Sequence, residues 1–122
     1  MRAQMSALWP SELRLAPAKD ALTIAFDNGD TFTLAAEYLR VESPSAEVQG
    51  HSPDQKKTVP GKRAVTIVSI EPVGNYAVRI GFDDGHDTGL YAWDYLHKLG
   101  RDHGKLWQAY LDALKAKGLG RD

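Results

Sequence analysis

One short pattern occurs twice in this chain and limits what it can fold into. Ile24-Ala25-Phe26-Asp27-Asn28-Gly29-Asp30, running through Leu34 to Tyr38-Leu39, is echoed by Ile80-Gly81-Phe82-Asp83-Asp84-Gly85-His86, running through Leu90 to Tyr95-Leu96. Each copy reads as a hairpin followed by a short helix. In the first, Leu22, Ile24 and Phe26 alternate with Thr23, Ala25 and Asp27, the period-two signature of a half-buried strand. Asn28-Gly29 supplies residues that tolerate the positive φ of a two-residue hairpin turn, and Phe32 and Leu34 continue the return strand. In the second, Tyr76, Val78, Ile80 and Phe82 form one strand face, and Asp83 to His86 makes the turn. Two copies are too few for a solenoid. They predict an α+β fold of small antiparallel sheets built from two β-hairpins, in one sheet or two facing layers, with C-terminal helices covering one side. Phe26 and Phe82 are expected to face a common core.

The remaining segments complete this frame. Residues 1–9 lack periodicity and are expected to be disordered, leaving a single domain over residues 10–118. Glu12 to Ala16 suits a short strand. Ala35 to Val41 suits a helical turn that carries Tyr38 and Leu39 inward, until Ser43-Pro44-Ser45 breaks it. Val48 to Lys62, with Gly50, Pro53, Pro60 and Gly61 and few apolar residues, reads as a loop and as the most mobile internal segment. Ala64 to Ile70 is a β-branched run suited to a buried strand, followed by turn chemistry from Pro72 to Asn75. After Leu90 the period becomes helical: Trp93, Leu96 and Leu99 share a face, and Gly100 is placed as a stop. In the last helix Leu106, Ala109, Tyr110, Ala113 and Leu114 form a core-covering face, Gln108, Asp112 and Lys115 face water, and Gly118 ends the pattern.

Composition removes several classes of function. At 122 residues and 43% hydrophobic content the chain supports one core without covalent staples. It has no cysteine, which excludes disulfides, thiolate nucleophiles and any metal site that needs a sulfur ligand. A net charge of -1 gives no long-range field for nucleic acid or an acidic membrane, and the basic run Lys56, Lys57, Lys62 and Arg63 reads as a solvated loop. No segment has the pattern of a targeting signal or the apolar length of a bilayer span, so a cytoplasmic location is expected.

Two long strings carry a family resemblance. Glu37-Tyr38-Leu39-Arg40-Val41-Glu42-Ser43-Pro44-Ser45-Ala46-Glu47-Val48-Gln49-Gly50-His51 is the first. The second is Val73-Gly74-Asn75-Tyr76-Ala77-Val78 running into Phe82-Asp83-Asp84-Gly85-His86-Asp87-Thr88-Gly89-Leu90-Tyr91-Ala92-Trp93-Asp94-Tyr95-Leu96. From about Pro10 to Leu99 the chain resembles the gamma-butyrobetaine hydroxylase-like N-terminal domain, the small domain that precedes the oxygenase barrel in gamma-butyrobetaine and trimethyllysine hydroxylases. The resemblance implies a free-standing bacterial member of undefined function, and related copies are appended to some P-loop iron-sulfur carrier proteins. In the hydroxylases this domain holds a structural zinc through three cysteines and a histidine. By resemblance the cysteine positions fall on Ser43, Ser45 and Val48 and the histidine on His86, so three of the four ligands are replaced, and neither zinc nor oxygenase activity is carried over.

The residues themselves leave two readings of function. The resemblance implies that His86 lies beside Ser43 to Val48, and His51 follows that segment closely, so the two could meet with Asp54 or Asp87 as an oxygen donor, making a metal-binding domain for zinc or iron. The simpler expectation is that His86 hydrogen-bonds its neighbouring loop, with Ser43 or Ser45 as partner, and that no cofactor is needed. Asp27, Asp30, Asp83, Asp84 and Asp87 are explained by turn chemistry, and no phosphate loop or nucleophilic triad is present. Tyr91, Trp93, Tyr95 and Trp107 are core material, with some left as interface anchors. The leading expectation is a non-enzymatic accessory or protein-interaction domain, possessing an unidentified protein partner and linked to oxygenase or iron-sulfur carrier systems. It binds neither nucleic acid nor membrane.

Overall fold

The computed structural model of the chain describes residues 8–122, so most of the expected N-terminal disorder lies outside the described residues. Within them the chain forms two three-stranded antiparallel sheets. The first contains β1 (Pro10–Leu15), β2 (Ala21–Phe26) and β3 (Thr31–Ala35), and leads into α1 (Ala36–Val41) and α2 (Ala46–Gln49). The second contains β4 (Ile67–Val73), β5 (Ala77–Phe82) and β6 (Gly89–Ala92), and leads into α3 (Trp93–Arg101) and α4 (His103–Ala116). Both sheets follow sequence order, with β2 and β5 central. Their inner faces meet in one core: Leu22, Ile24, Phe26 and Leu34 from the first sheet join Ile67, Val78, Ile80 and Phe82 from the second. The two hairpins therefore lie in two sheets that share a core, and Phe26 and Phe82 both point into it.

The repeat seen in the sequence is a structural repeat. In each unit the first strand carries a bulge at the same place, between Pro10 and Glu12 opposite Phe26, and between Ile67 and Ser69 opposite Phe82. In each, the first helix N–H reaches back to the residue before the central strand: Ala36 donates to the Asp20 carbonyl at 2.8 Å, and Trp93 to that of Tyr76 at 3.2 Å. The turns also match. Phe26 N–H donates to the Asp30 carbonyl and Gly29 N–H to that of Phe26; Phe82 N–H donates to His86 and Gly85 N–H to Phe82. Both are three-residue loops, where a two-residue turn is expected at Asn28-Gly29. Only Gly29 and Gly85 take positive φ, at 97° and 90°, which a two-residue type I′ turn would require at both central positions. A side-chain bond explains the choice: Asn28 Oδ1 accepts from Asp30 N–H and Asp84 Oδ1 from His86 N–H, each at 3.0 Å.

Each helix then clasps the opposite unit. Tyr38 on α1 donates its hydroxyl to the Leu99 carbonyl on α3 at 2.7 Å, and Tyr95 on α3 donates to the Glu42 carbonyl after α1 at 2.5 Å. Arg40 reaches Asp84 in the second turn at 2.8 Å, while His97 reaches Asp30 in the first at 2.8 Å. Hydroxyls on helix-terminal carbonyls satisfy acceptors that a helix end cannot pair internally.

Elsewhere the structure departs from the sequence expectation for identifiable reasons. β4 begins three residues later than Ala64 and runs through Pro72 to Val73, because it is an edge strand and an edge tolerates a residue without N–H. It is mostly exposed, not buried; Ile67 alone is fully enclosed. Tyr76 leaves the strand face and is exposed in the turn. Gly100 lies inside α3 and does not stop it: a Cβ there would overlap the Phe32 ring, so the glycine serves close packing. Residues 48–62, read as loop, contain the end of α2 and a 3-10 turn at Pro53–Gln55. That segment is tied down by Lys57 N–H on the Val48 carbonyl, the Tyr110 hydroxyl on the Val59 carbonyl, and Gly61 N–H on the Gly120 carbonyl. Gly118 does end α4, with φ 66° and the paired bonds Leu119 to Leu114 and Gly118 to Lys115 that satisfy its last carbonyls. Beyond it, Arg121 forms a two-pronged ion pair with buried Glu37 and lies over the Trp107 ring.

Candidate functional site

Two places on the molecule are distinctive enough to compare: the corner around His86 and the groove beside α4. His86 closes the second hairpin loop, and only 8% of it is exposed. The segment Ser43-Pro44-Ser45 passes directly over it, turned there by the end of α1. Ser43 Oγ lies 2.8 Å from His86 Nε2 and accepts the Ser45 N–H at 3.2 Å. Ser45 Oγ caps α2 through the Glu47 N–H and lies 2.8 Å from Thr88 Oγ1. Thr88 donates to Glu47 at 2.6 Å, and Gln49 donates to the Ser43 carbonyl at 2.8 Å. Every hydroxyl at this corner is thus engaged locally, as buried polar groups must be.

Burial and charge together disfavour protonation of His86. Burial lowers its pKa from the usual value, and the nearby Arg40 charge acts in the same direction, against weaker opposition from Glu47, Asp84 and Asp87. Asp84, in the same turn, behaves oppositely to a simply buried acid. Burial pushes its pKa up, yet hydrogen bonds from Lys62, the His86 N–H and Arg40 outweigh that and hold it well below the ordinary carboxylate range. Lys62 and Arg40 both pair with Asp84 Oδ2, at 2.7 and 2.8 Å. The sequence pairing of His86 with Ser43 is therefore realised. His51 is exposed, with its backbone N–H bonded to Gln55, and among the described residues no three His, Asp or Glu side chains gather where they could hold a metal ion.

The second place was not singled out from sequence. A groove of about 290 Å³ runs between α4 and residues 56–58, with Val41 and Tyr110 at its floor. Leu106, Ala109, Ala113 and Lys117 line one side, and Lys56, Lys57 and Thr58 the other. The cause is a rotation of α4 relative to the expected face. Tyr110 and Leu114 are buried as expected, and half-buried Leu106 packs against the main core, but Ala109 is exposed and Ala113 half-buried, while Trp107 and Leu111 take up core contacts on the other flank. The usable signal was the line Leu106, Ala109, Ala113, Lys117, an apolar stripe with a cation at its end.

Two antiparallel sheets with crossed helices around one core define a small α+β domain, and its sequence specifies which. The family model for the gamma-butyrobetaine hydroxylase-like N-terminal domain matches residues 13–97. The chain belongs to that family. Two proteins with NMR solution structures are similar to it throughout, at 46% and 47% identity with TM-scores of 0.80 and 0.82. Those matches cover 94% and 99% of this chain and 90% of each of the other two. A crystal structure of a protein of unknown function from Acidithiobacillus ferrooxidans, in the DUF971 family, is 37% identical over 75% of this chain and 91% of its own, with a TM-score of 0.63. No curated protein matches.

The zinc that the family resemblance suggests does not fit the donors present. Around His86 stand two neutral hydroxyls from Ser43 and Ser45, and the Val48 side chain is buried and apolar. Zinc sites draw their affinity from thiolate, imidazole and carboxylate donors. The nearest carboxylate, Glu47, lies 4.0 Å from His86 Nδ1 and is already hydrogen-bonded to Thr88.

Proposed function

We propose that this domain is a non-enzymatic accessory domain that acts by binding another protein in the cytoplasm, in association with oxygenase or iron-sulfur carrier systems. The observation that carries this reading is the apolar stripe of α4. Ala109 and Ala113, beside a Leu106 that also packs on the core, line an open groove and offer apolar surface that a docking partner would cover. The His86 corner supports the same reading from the other side, because its polar groups are spent on holding the turn against Ser43. No helix among the described residues is long and apolar enough to cross a membrane. The test is photo-crosslinking in the native host, with the reactive group placed at position 109 or, as control, at exposed position 68. A discrete protein partner captured from position 109 and absent from position 68 is expected. Equal capture from both positions, or none from 109, contradicts the reading.

A further inference from the structure

The groove beside α4 has a charge character at odds with the chain as a whole, which carries a net charge of -1. Lys56, Lys57 and Lys117 rim it, and the single acid among its lining residues, Glu42, is buried and already paired with Lys56 at 2.6 Å. Among the described residues Lys57 and Lys117 form no ion pair, and both are exposed. Between these cations the lining residues Val41, Leu106, Ala109 and Ala113 are uncharged and apolar. The apolar stripe from Leu106 to Lys117 extends about 16 Å along the helix axis, the length of roughly three helical turns. The opposite wall is held in place, because the Tyr110 hydroxyl donates to the Val59 carbonyl at 2.6 Å.

We infer that the groove receives an acidic amphipathic segment of the partner protein, whose apolar side chains lie on Ala109 and Ala113 and whose carboxylates face Lys57 and Lys117. This rests on the interaction reading above and adds the chemistry of the partner. An extended apolar floor selects a peptide's side-chain row, as helix-in-groove recognition does. Unpaired lysines at the rim add on-rate and orientation, and they discriminate against basic segments.

The probe is a pair of synthetic helical peptides of equal length and leucine content, one with glutamates on its polar face and the other with lysines. Amide resonances of the full chain are followed by NMR during titration. The inference expects saturable shifts at Ala109, Ala113, Lys57 and Lys117 with the acidic peptide, at least tenfold weaker response to the basic one, and loss of binding at high salt. A double variant, Lys57→Glu with Lys117→Glu, is expected to reverse the preference while folding normally, since both side chains are exposed. A second variant, Ala109→Trp, is expected to block both peptides. Equal response to the two peptides, shifts centred on the exposed face of the second sheet, or no shift at millimolar peptide overturns the inference. So does concentration-dependent dimerisation that the double variant abolishes, which would make a second copy of the chain the occupant. Binding at the groove that is blocked by Ala109→Trp but indifferent to charge would sink the acidic partner and leave the interaction reading intact; crosslinking that avoids position 109 would sink both.

Discussion

The His86 corner and the α4 groove differ in opposite ways from what each displays in sequence. The corner stands where the resemblance suggests a metal ligand, yet its donors are bonded to one another: His86 to Ser43, Ser45 to Thr88, Thr88 to Glu47. The groove has no motif, yet it leaves apolar carbons and unpaired lysines facing out. Hydroxyls bonded to one another and to an imidazole make this corner a structural joint. The crossed bonds between units, Arg40 to Asp84 and Tyr95 to Glu42, hold the same corner. Function is then sought where polar and apolar groups remain unspent.

The largest expected effect sharpens the structural side of that contrast. Phe82 is 2% exposed and lies under the His86 turn, with ring centroids 6.3 Å apart. Phe82→Ala should cost about 3–5 kcal/mol in chemical denaturation, as large aromatic truncations do. A loss below about 1 kcal/mol would mean that the corner is not packed as described.

Next in size is the joint itself. Ser43→Ala removes the partner of a buried imidazole nitrogen and should cost about 1–3 kcal/mol. Ser43→Cys, which keeps a group of similar size, should recover part of that loss. An unchanged denaturation midpoint for the alanine variant would break the claim that the corner is a joint.

Acid should weaken the same region. His86 has its folded pKa lowered by burial and by Arg40, so the unfolded chain takes up a proton first. Its contribution is complete above the unfolded value of about 6.5 and is lost progressively as pH falls from there toward the lower folded value. Asp84 also has a lowered pKa, through Lys62, the His86 N–H and Arg40, against the opposing effect of burial. Its contribution persists until pH falls below the unfolded carboxylate value of about 3.9. Urea midpoints between pH 7 and 5 should therefore drop in the wild type and drop less in His86→Phe. Parallel curves would contradict the assignment of a neutral, buried His86.

The smallest effect belongs to the groove. Lys57→Glu and Lys117→Glu touch exposed side chains and should change stability by no more than about 0.5 kcal/mol, despite their expected effect on binding. A large loss of stability would show that these lysines serve the fold and would dissolve the contrast between the two regions.

Much of the fold was legible because local chemistry and burial agree. Asn28-Gly29 and Asp84-Gly85 marked the turns, and the alternation of Leu22, Ile24 and Phe26 gave the inward face. Loop length was harder to read, since the same Asn-Gly pair serves a two-residue turn or the three-residue loop observed, and a side-chain bond to Asp30 N–H decides between them. Pro72 and Gly100 misled for a related reason. Each normally interrupts an element, but an edge strand tolerates the proline and the approach of Phe32 requires the glycine. The groove was hidden by abundance: α4 carries two adjacent apolar rows, Trp107-Tyr110-Leu114 and Leu106-Ala109-Ala113, and periodicity cannot rank them. Both rows reach the core at their start, through Trp107 and Leu106, and only Ala109 and Ala113 of the second row are left to the groove.

The central claim is that the His86 corner holds the fold through its own hydrogen bonds and that the domain's function lies elsewhere. Elemental analysis of the purified domain, paired with thermal melts of the wild type and His86→Ala in the presence and absence of a chelator, tests it most directly. The account predicts no stoichiometric zinc or iron, a melting temperature indifferent to the chelator, and a lower melting temperature for His86→Ala from loss of the Ser43 bond. Close to one metal per chain, lost on that substitution and stripped by the chelator with a fall in melting temperature, would contradict it and establish the corner as a metal site.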